Sequence, residues 1–294
     1  MADKVGAFNR LGYDDDTTTA TVEFEFLEGS QIGLTQQHVN TNGMRGTRSQ
    51  YNDRNREGTR RVDGNLLFAP TPGELATLLP LILGANASGT TYALAETVPA
   101  HYWIAVRDGT TYSYNGCCVE QATFSAQEGG ALQLAMTVVG KDEAQSGSIG
   151  SNTIDATTGG PLTFMEGAVT VGGSSYEFSS FELSIRNVLE VKYRNSLTPT
   201  QIKATDRVVT VSLPFSLGDA SALYGSATTG VAVVATFTNG GGVATSLTFS
   251  LTKVATPKNP LPFGQRGILD LPWQGRALRT SSTAELVVTL DSSP

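Results

Sequence analysis

Charge is scarce in this chain. Only 16% of its 294 residues are Asp, Glu, Lys or Arg, against about 25% in an average soluble protein. A surface so short of charge suits a protein covered by neighbours. Cysteine is scarcer: Cys117 and Cys118 are the only two, and they are adjacent. In a strand their side chains point to opposite faces, so two free thiols in a reducing compartment are expected. The two histidines, His38 and His101, stand far apart with no metal-ligand spacing around them. No P-loop, nucleophile elbow or dinucleotide-binding glycine pattern occurs. Asp14–Asp16 lacks the alternation of a calcium loop and reads as a solvated acidic stretch. These absences leave an enzyme without a site and predict no cofactor and no metal.

Long apolar runs are missing too. Leu75–Ala85 is the longest, about half of what spans a bilayer, and it contains Pro80. "MADKVGAFNR" has no apolar core of a signal peptide. The expectation is a soluble chain without membrane anchor, made in the cytoplasm.

What is present is glycine (32 residues), serine, threonine and alternation. "TATVEFEFLEG" sets Val22, Phe24 and Phe26 against Glu23 and Glu25, the pattern of a half-buried strand. "HYWIAVRDGTTYSYNG" reads as two strands about Asp108-Gly109, and further hairpins turn at Gly129-Gly130 and Gly172-Gly173. One helix is expected over residues 72–83. Thr71 is its N-cap, Pro72 its first residue, Glu74 completes a capping box, and Leu75, Leu78, Leu79, Ile82 and Leu83 form its apolar stripe. Gly84 can close it, whereas Pro80 can kink it or stop it at Leu79.

A weak internal repeat divides the chain. The strand carrying Val62, Leu66 and Phe68 returns as Val209, Leu213 and Phe215, each followed by a capped helical segment (Thr71 or Asp219 as cap). Upstream, Val22–Gly29 is matched with Phe181–Asn187, so Glu182 takes the polar place of Glu23 and Glu25. Lys141–Pro161 is rich in Gly, Ser and Thr. The expected organisation is a β domain at 1–145, a linker at 146–161 and a second β domain at 162–294.

Positive charge is concentrated in one place. Gly43–Arg61 holds six arginines, no lysine and two acids. It carries +4 in a chain of net −7, leaving −11 elsewhere. Nucleic-acid patches usually lie on basic domains with interleaved aromatics; this chain is acidic and Tyr51 is the segment's only aromatic. A solvated loop has little reason to choose arginine throughout. The planar guanidinium suits bidentate pairing with carboxylates at an interface, and the chain's own acidic surface can supply them.

The run "GMRGTRSQYNDRNREGTRRVDGNLLFAPTPGELATLLPLILG", with "TYSYNGCCVEQATFSAQEGGALQLAMTVVGKD", resembles the tail tube proteins of long-tailed, non-contractile bacteriophages. "YEFSSFELSIRNVLEVKYRNSLTPTQIKATDRVVTVSLPFSLGDASALY" is similar to the second domain of the larger, two-domain members. The resemblance implies a mainly β fold: two tandem β-sandwich or partial-barrel domains, each with a short flanking helix. It implies a structural virion protein whose rings stack into a tube, the inner sheets joining into a barrel through which DNA passes without specific binding. Three chains would give a pseudo-hexameric ring, and the tape measure, tail terminator and distal tail proteins are its expected partners. The long loop at 28–59 would then contact a neighbouring ring through Arg45, Arg48, Arg54 and Arg56. Glu23, Glu25 and Glu182 would line the channel, because a lumen that releases DNA should not bind phosphate. The competing reading is a carbohydrate- or ligand-binding β-sandwich module, with Tyr102-Trp103 and Tyr112/Tyr114 as its candidate aromatic platform. A β-sandwich hydrolase lacks an acid/base pair or triad.

Overall fold

A computed structural model describes residues 9–40, 44, 46–49, 52–150, 160–216, 230–239, 245–257 and 270–291. Among them the chain is mainly β, in a large antiparallel arrangement consistent with a β-sandwich. The first half runs through β1 (Arg10–Asp14), β2 (Thr19–Ala20), β3 (Val22–Phe24), β4 (Gln31–Asn40), β5 (Asn55–Phe68), α1 (Pro72–Leu83), β6 (Thr91–Ala93), β7 (His101–Arg107), β8 (Thr110–Gln127), β9 (Gln133–Gly140), β10 (Asp142–Ala144) and β11 (Ser148–Ile149). The second continues with β12 (Gly167–Val171), β13 (Ser174–Tyr176), β14 (Ser180–Lys192), β15 (Gln201–Ser216), β16 (Val231–Asn239), β17 (Thr245–Ala255), β18 (Asp270–Ala277) and β19 (Leu286–Asp291).

Seven strands make one continuous layer in the order β4-β5-β9-β8-β14-β15-β18. It crosses from the first half to the second at β8–β14, where Ser180 to Arg186 lie opposite Gln127 to Gln121. Two smaller layers cover one of its faces. The first half of β8 turns away to pair with β7, and β7 carries β1 and then β3. In the second half β12, β16, β17 and β19 pair in turn. β19 then takes β6 as its neighbour, a second ladder between the halves.

Alternation builds the core. Leu66, Met136, Ala122, Ile185 and Val209 project from the covered face of the seven-stranded layer and are buried. Aromatic contacts stitch the layers. Phe124 meets Phe249 at 4.9 Å and Phe181 meets Phe237 at 5.0 Å. In the first half Phe68 lies 5.9 Å from Phe24 and 6.4 Å from Trp103. A single apolar cluster runs through both halves. Each fully buried aromatic contributes about 1.5–3 kcal/mol of transfer free energy.

α1 begins with the reciprocal Thr71–Glu74 capping box and ends at Gly84, whose φ of 85° is left-handed. It runs through Pro80 without stopping at Leu79. Pro80 gives up one helical N–H, but its carbonyl accepts the Gly84 N–H at 2.8 Å and helps to close the end. The expected second helical segment, with Asp219 as its cap, lies outside the described residues.

Two expectations are revised. The strand that answers β14 is β4, not Val22–Gly29. Leu34 faces Val62 as Ile185 faces Val209, and Gln31 faces Asn65 as Glu182 faces Ser212. The shared Glu/Phe alternation misled because β4, exposed along much of its length, carries no such pattern. Nor is 28–59 simply a loop: β4 and the start of β5 pair well into it and form a hairpin arm.

Candidate conduit face and assembly arm

The uncovered face of the seven-stranded layer is rich in amides and hydroxyls, with apolar residues such as Leu67, Val208 and Pro214 and the exposed Arg276 among them. Directly opposed residues share a face, so Gln31, Asn65, Thr137 and Gln121 form one row across β4, β5, β9 and β8. Gln133, Ser125, Glu182, Ser212 and Gln274 form another, across β9, β8, β14, β15 and β18. Side chains bond across the junction between halves: Gln121 Nε2 donates to Ser184 Oγ at 3.1 Å and Thr123 Oγ1 to the same oxygen at 3.3 Å. Charges on this face have both signs. Glu182 and Arg186 are exposed, and Asp63 is paired with Arg61 at 3.0 Å.

The three acids expected in a channel are therefore separated. Glu182 stands on this open face. Glu23 sits on β3, which pairs with β1 in a covering layer. Alternation predicts an exposed Glu23, but it is buried, and Arg10 holds both of its oxygens at 2.7 Å. β3 ends at Phe24, so Glu25 is off the strand; it is exposed, and its N–H donates to Glu74 Oε1 at 3.2 Å.

The arginine segment also divides. At the base of the arm Arg60 pairs with Asp142 at 3.1 Å and Arg61 with Asp63. The backbone N–H of Arg60 donates to the Leu197 carbonyl at 2.8 Å, joining the arm to the tip of the β14–β15 hairpin. Farther out, Arg48, Arg54 and Arg56 are exposed and make no ion pair among the described residues; Arg45 lies outside those residues. The arm's outer pairs, such as Val39 with Arg56, are exposed on both strands. Three guanidinium groups are thus presented without an ion-pair partner among the described residues.

No sugar platform emerges from the aromatics: Trp103 and Tyr114 are fully buried, and Tyr102 and Tyr112 are half-buried. A cleft of about 460 Å³ lies where the halves meet. Its Arg207 is already engaged, by Glu285 at 3.6 Å, Asn187 Oδ1 at 3.3 Å and the Ala95 carbonyl. Asp14 is a turn anchor, its Oδ1 accepting from the N–H groups of Asp16 at 3.1 Å and Thr17 at 2.8 Å. Among the described residues no group of three or more His, Cys, Asp or Glu is placed to hold a metal ion.

The family model for phage tail tube proteins matches residues 6–277. The chain belongs to the phage tail tube protein family. No curated protein matches it. Membership makes this tail tube protein a structural component of the virion tail that assembles with copies of itself and with other tail proteins. The family is structural rather than enzymatic. Among the described residues no helix of the tail tube protein is long and apolar enough to cross a membrane. Its two cysteines are buried and free, and burial raises both thiol pKa values, that of Cys118 to about 11, so neither is a reactive thiolate.

Proposed function

We propose that this chain, made in the host cytoplasm, assembles as trimeric rings that stack into the tail tube. The continuous seven-stranded layer carries the proposal. Its two hairpins, β4–β5 and β14–β15, repeat the same register, so one chain supplies two similar segments of a ring wall, and three chains supply six. The divisions at 1–145 and 162–294 then mark two pseudo-equivalent units. A barrel closed across subunits removes the open strand edges that otherwise aggregate.

The uncovered face turns to the lumen in this reading. Amides, hydroxyls and charges of both signs interact weakly with phosphate, and Glu182 repels it. Glu25, exposed at the layer's margin, adds negative potential to the passage, while Arg10 offsets the charge of Glu23. The arm reaches the next ring through Arg45, Arg48, Arg54 and Arg56. The tape measure protein fills the bore before ejection, and the tail terminator and distal tail proteins meet the two ends. A helical reconstruction of purified tubes tests the reading. Three-fold rings with Glu182 facing inward are expected; six-fold rings, or an outward-facing layer, overturn it.

A further inference from the structure

β4 ends the seven-stranded layer, with β5 on one side and no strand on the other among the described residues. Its open backbone groups follow from the ladder. Leu67 accepts the Leu27 N–H at 2.7 Å and donates its own N–H to Ser30 Oγ at 2.9 Å, so both of its backbone groups face the β4 side. Alternation along an antiparallel strand turns Asp63 and Asn65 the same way, toward their partners Gly33 and Gln31. Arg60, of opposite parity, donates away from β4, to Leu197. Ile32 and Leu34 therefore face the open edge.

That edge is not bare. The guanidinium of Arg107, at the end of β7, donates to the Ile32 carbonyl. It is held over the rings of Tyr112 and Tyr114, 5.4 and 5.8 Å from their centroids. A charged side chain on an open edge is a recognised device against unwanted strand pairing.

The second half of the chain shows what the edge can receive. By the shared register, Ile32 and Leu34 answer Leu183 and Ile185 of β14. In β14 that edge is filled by β8, with Leu183 opposite Phe124 and Ile185 opposite Ala122.

We propose that the outer edge of β4, at Ile32 and Leu34, is the seat for a strand of a second copy of this chain, and that Arg107 guards it in the free subunit. Assembly replaces the guanidinium with a strand N–H, as β8 already does for β14. The proposal rests on the tube reading for the identity of its occupant.

Hydrogen exchange on free subunit and on tubes tests it without mutation. The amides of Ile32 and Leu34 are expected to exchange at least 100-fold more slowly in tubes, while those of Gln31 and Gly33, already in the β5 ladder, change little. Equal exchange of Ile32 and Leu34 in both states overturns the seat. Arg107→Ala and Arg107→Lys then address the guard. Arg107→Ala subunits are expected to self-associate at a several-fold lower concentration than wild type, with Arg107→Lys between them. An unchanged concentration overturns the guard. Leu34→Pro removes one outward N–H and also the packing of Leu34 against the core; loss of tubes is expected where Leu34→Ala, which loses the same packing, still forms them, and normal tubes from Leu34→Pro count against the seat. If microscopy shows that wild type forms no tubes, the tube reading fails by itself. The edge is then judged on Arg107→Ala: oligomers with slowed Ile32 and Leu34 exchange support it, and a monomer with fast exchange overturns it.

Discussion

Arg10 grips both carboxylate oxygens of Glu23, each contact 2.7 Å long. The carboxylate is largely buried and the guanidinium is partly open to solvent, so the pair is bidentate and half-desolvated. The same guanidinium donates to the Gly150 carbonyl at 3.0 Å, tying β1 to the chain beyond β11. Glu23→Gln should therefore lower stability by about 1–3 kcal/mol, and Glu23→Lys by more, because two cations would share the site. Thermal melts of purified subunit check this. A Glu23→Gln melt identical to wild type would show the pair to be energetically idle.

Glu182 should behave differently. It is exposed on the amide-and-hydroxyl face and has no ion-pair partner among the described residues. Glu182→Lys should leave the melt within about 0.5 kcal/mol of wild type and leave tubes intact. DNA ejection from virions carrying it should slow, most clearly at low salt. Ejection at the wild-type rate under those conditions would remove Glu182 from the conduit.

His101 predicts an acid sensitivity. It is fully buried and its ring centroid stands 5.4 Å from that of Tyr13 and 5.7 Å from that of Trp103; neither ring nitrogen makes a well-formed hydrogen bond, and the Pro99 backbone only partly offsets the cost of burial. Burial pushes its pKa from 6.5 down to about 4. Between those values the unfolded chain binds the extra proton and the folded one does not. Stability is then complete above pH 6.5 and falls as pH drops toward 4, by about 3 kcal/mol at most. Urea midpoints at pH 7.5 and 5.0 should differ for wild type, and His101→Phe should remove most of that difference. An equal pH response in both proteins would assign the acid lability to other groups.

The arm offers a separation of folding from assembly. Replacing Arg45, Arg48, Arg54 and Arg56 by serine, or deleting Thr47–Asn55, should leave the melt nearly unchanged. Exposed pairs are worth only about 0–1 kcal/mol each, and the paired Arg60 and Arg61 at the base are untouched. Tubes should become few or absent. High salt should weaken stacking of the wild type more than its fold. Normal tubes from the serine variant would make the segment a solvated loop.

Local chemistry made much of this legible. Thr71, Pro72 and Glu74 state where a helix starts, and it starts there. Asp108-Gly109 asks for a tight hairpin; both residues have positive φ, 48° and 77°, between Arg107 and Thr110. Period-two patterns reveal strands but not their neighbours. Nothing near Ser180–Arg186 announces that it will lie against Gln121–Gln127, because such pairing is set by packing across the whole molecule. The same blindness put Glu23 on an exposed face, whereas it is buried. Its alternation with Phe24 is real, but the cation that permits burial, Arg10, arrives from a different strand. Arg60 and Arg61 looked like their neighbours in the segment and differ only because Asp142 and Asp63 fold next to them.

The two ladders that cross between the halves, β8–β14 and β6–β19, also bear on mechanics. Neither half can hinge against the other without unzipping backbone bonds along a strand. In a ring of three such chains, every second join around the circumference is covalently backed and stiff. Compliance under bending or internal pressure would concentrate at three seams per ring and at the contacts between rings.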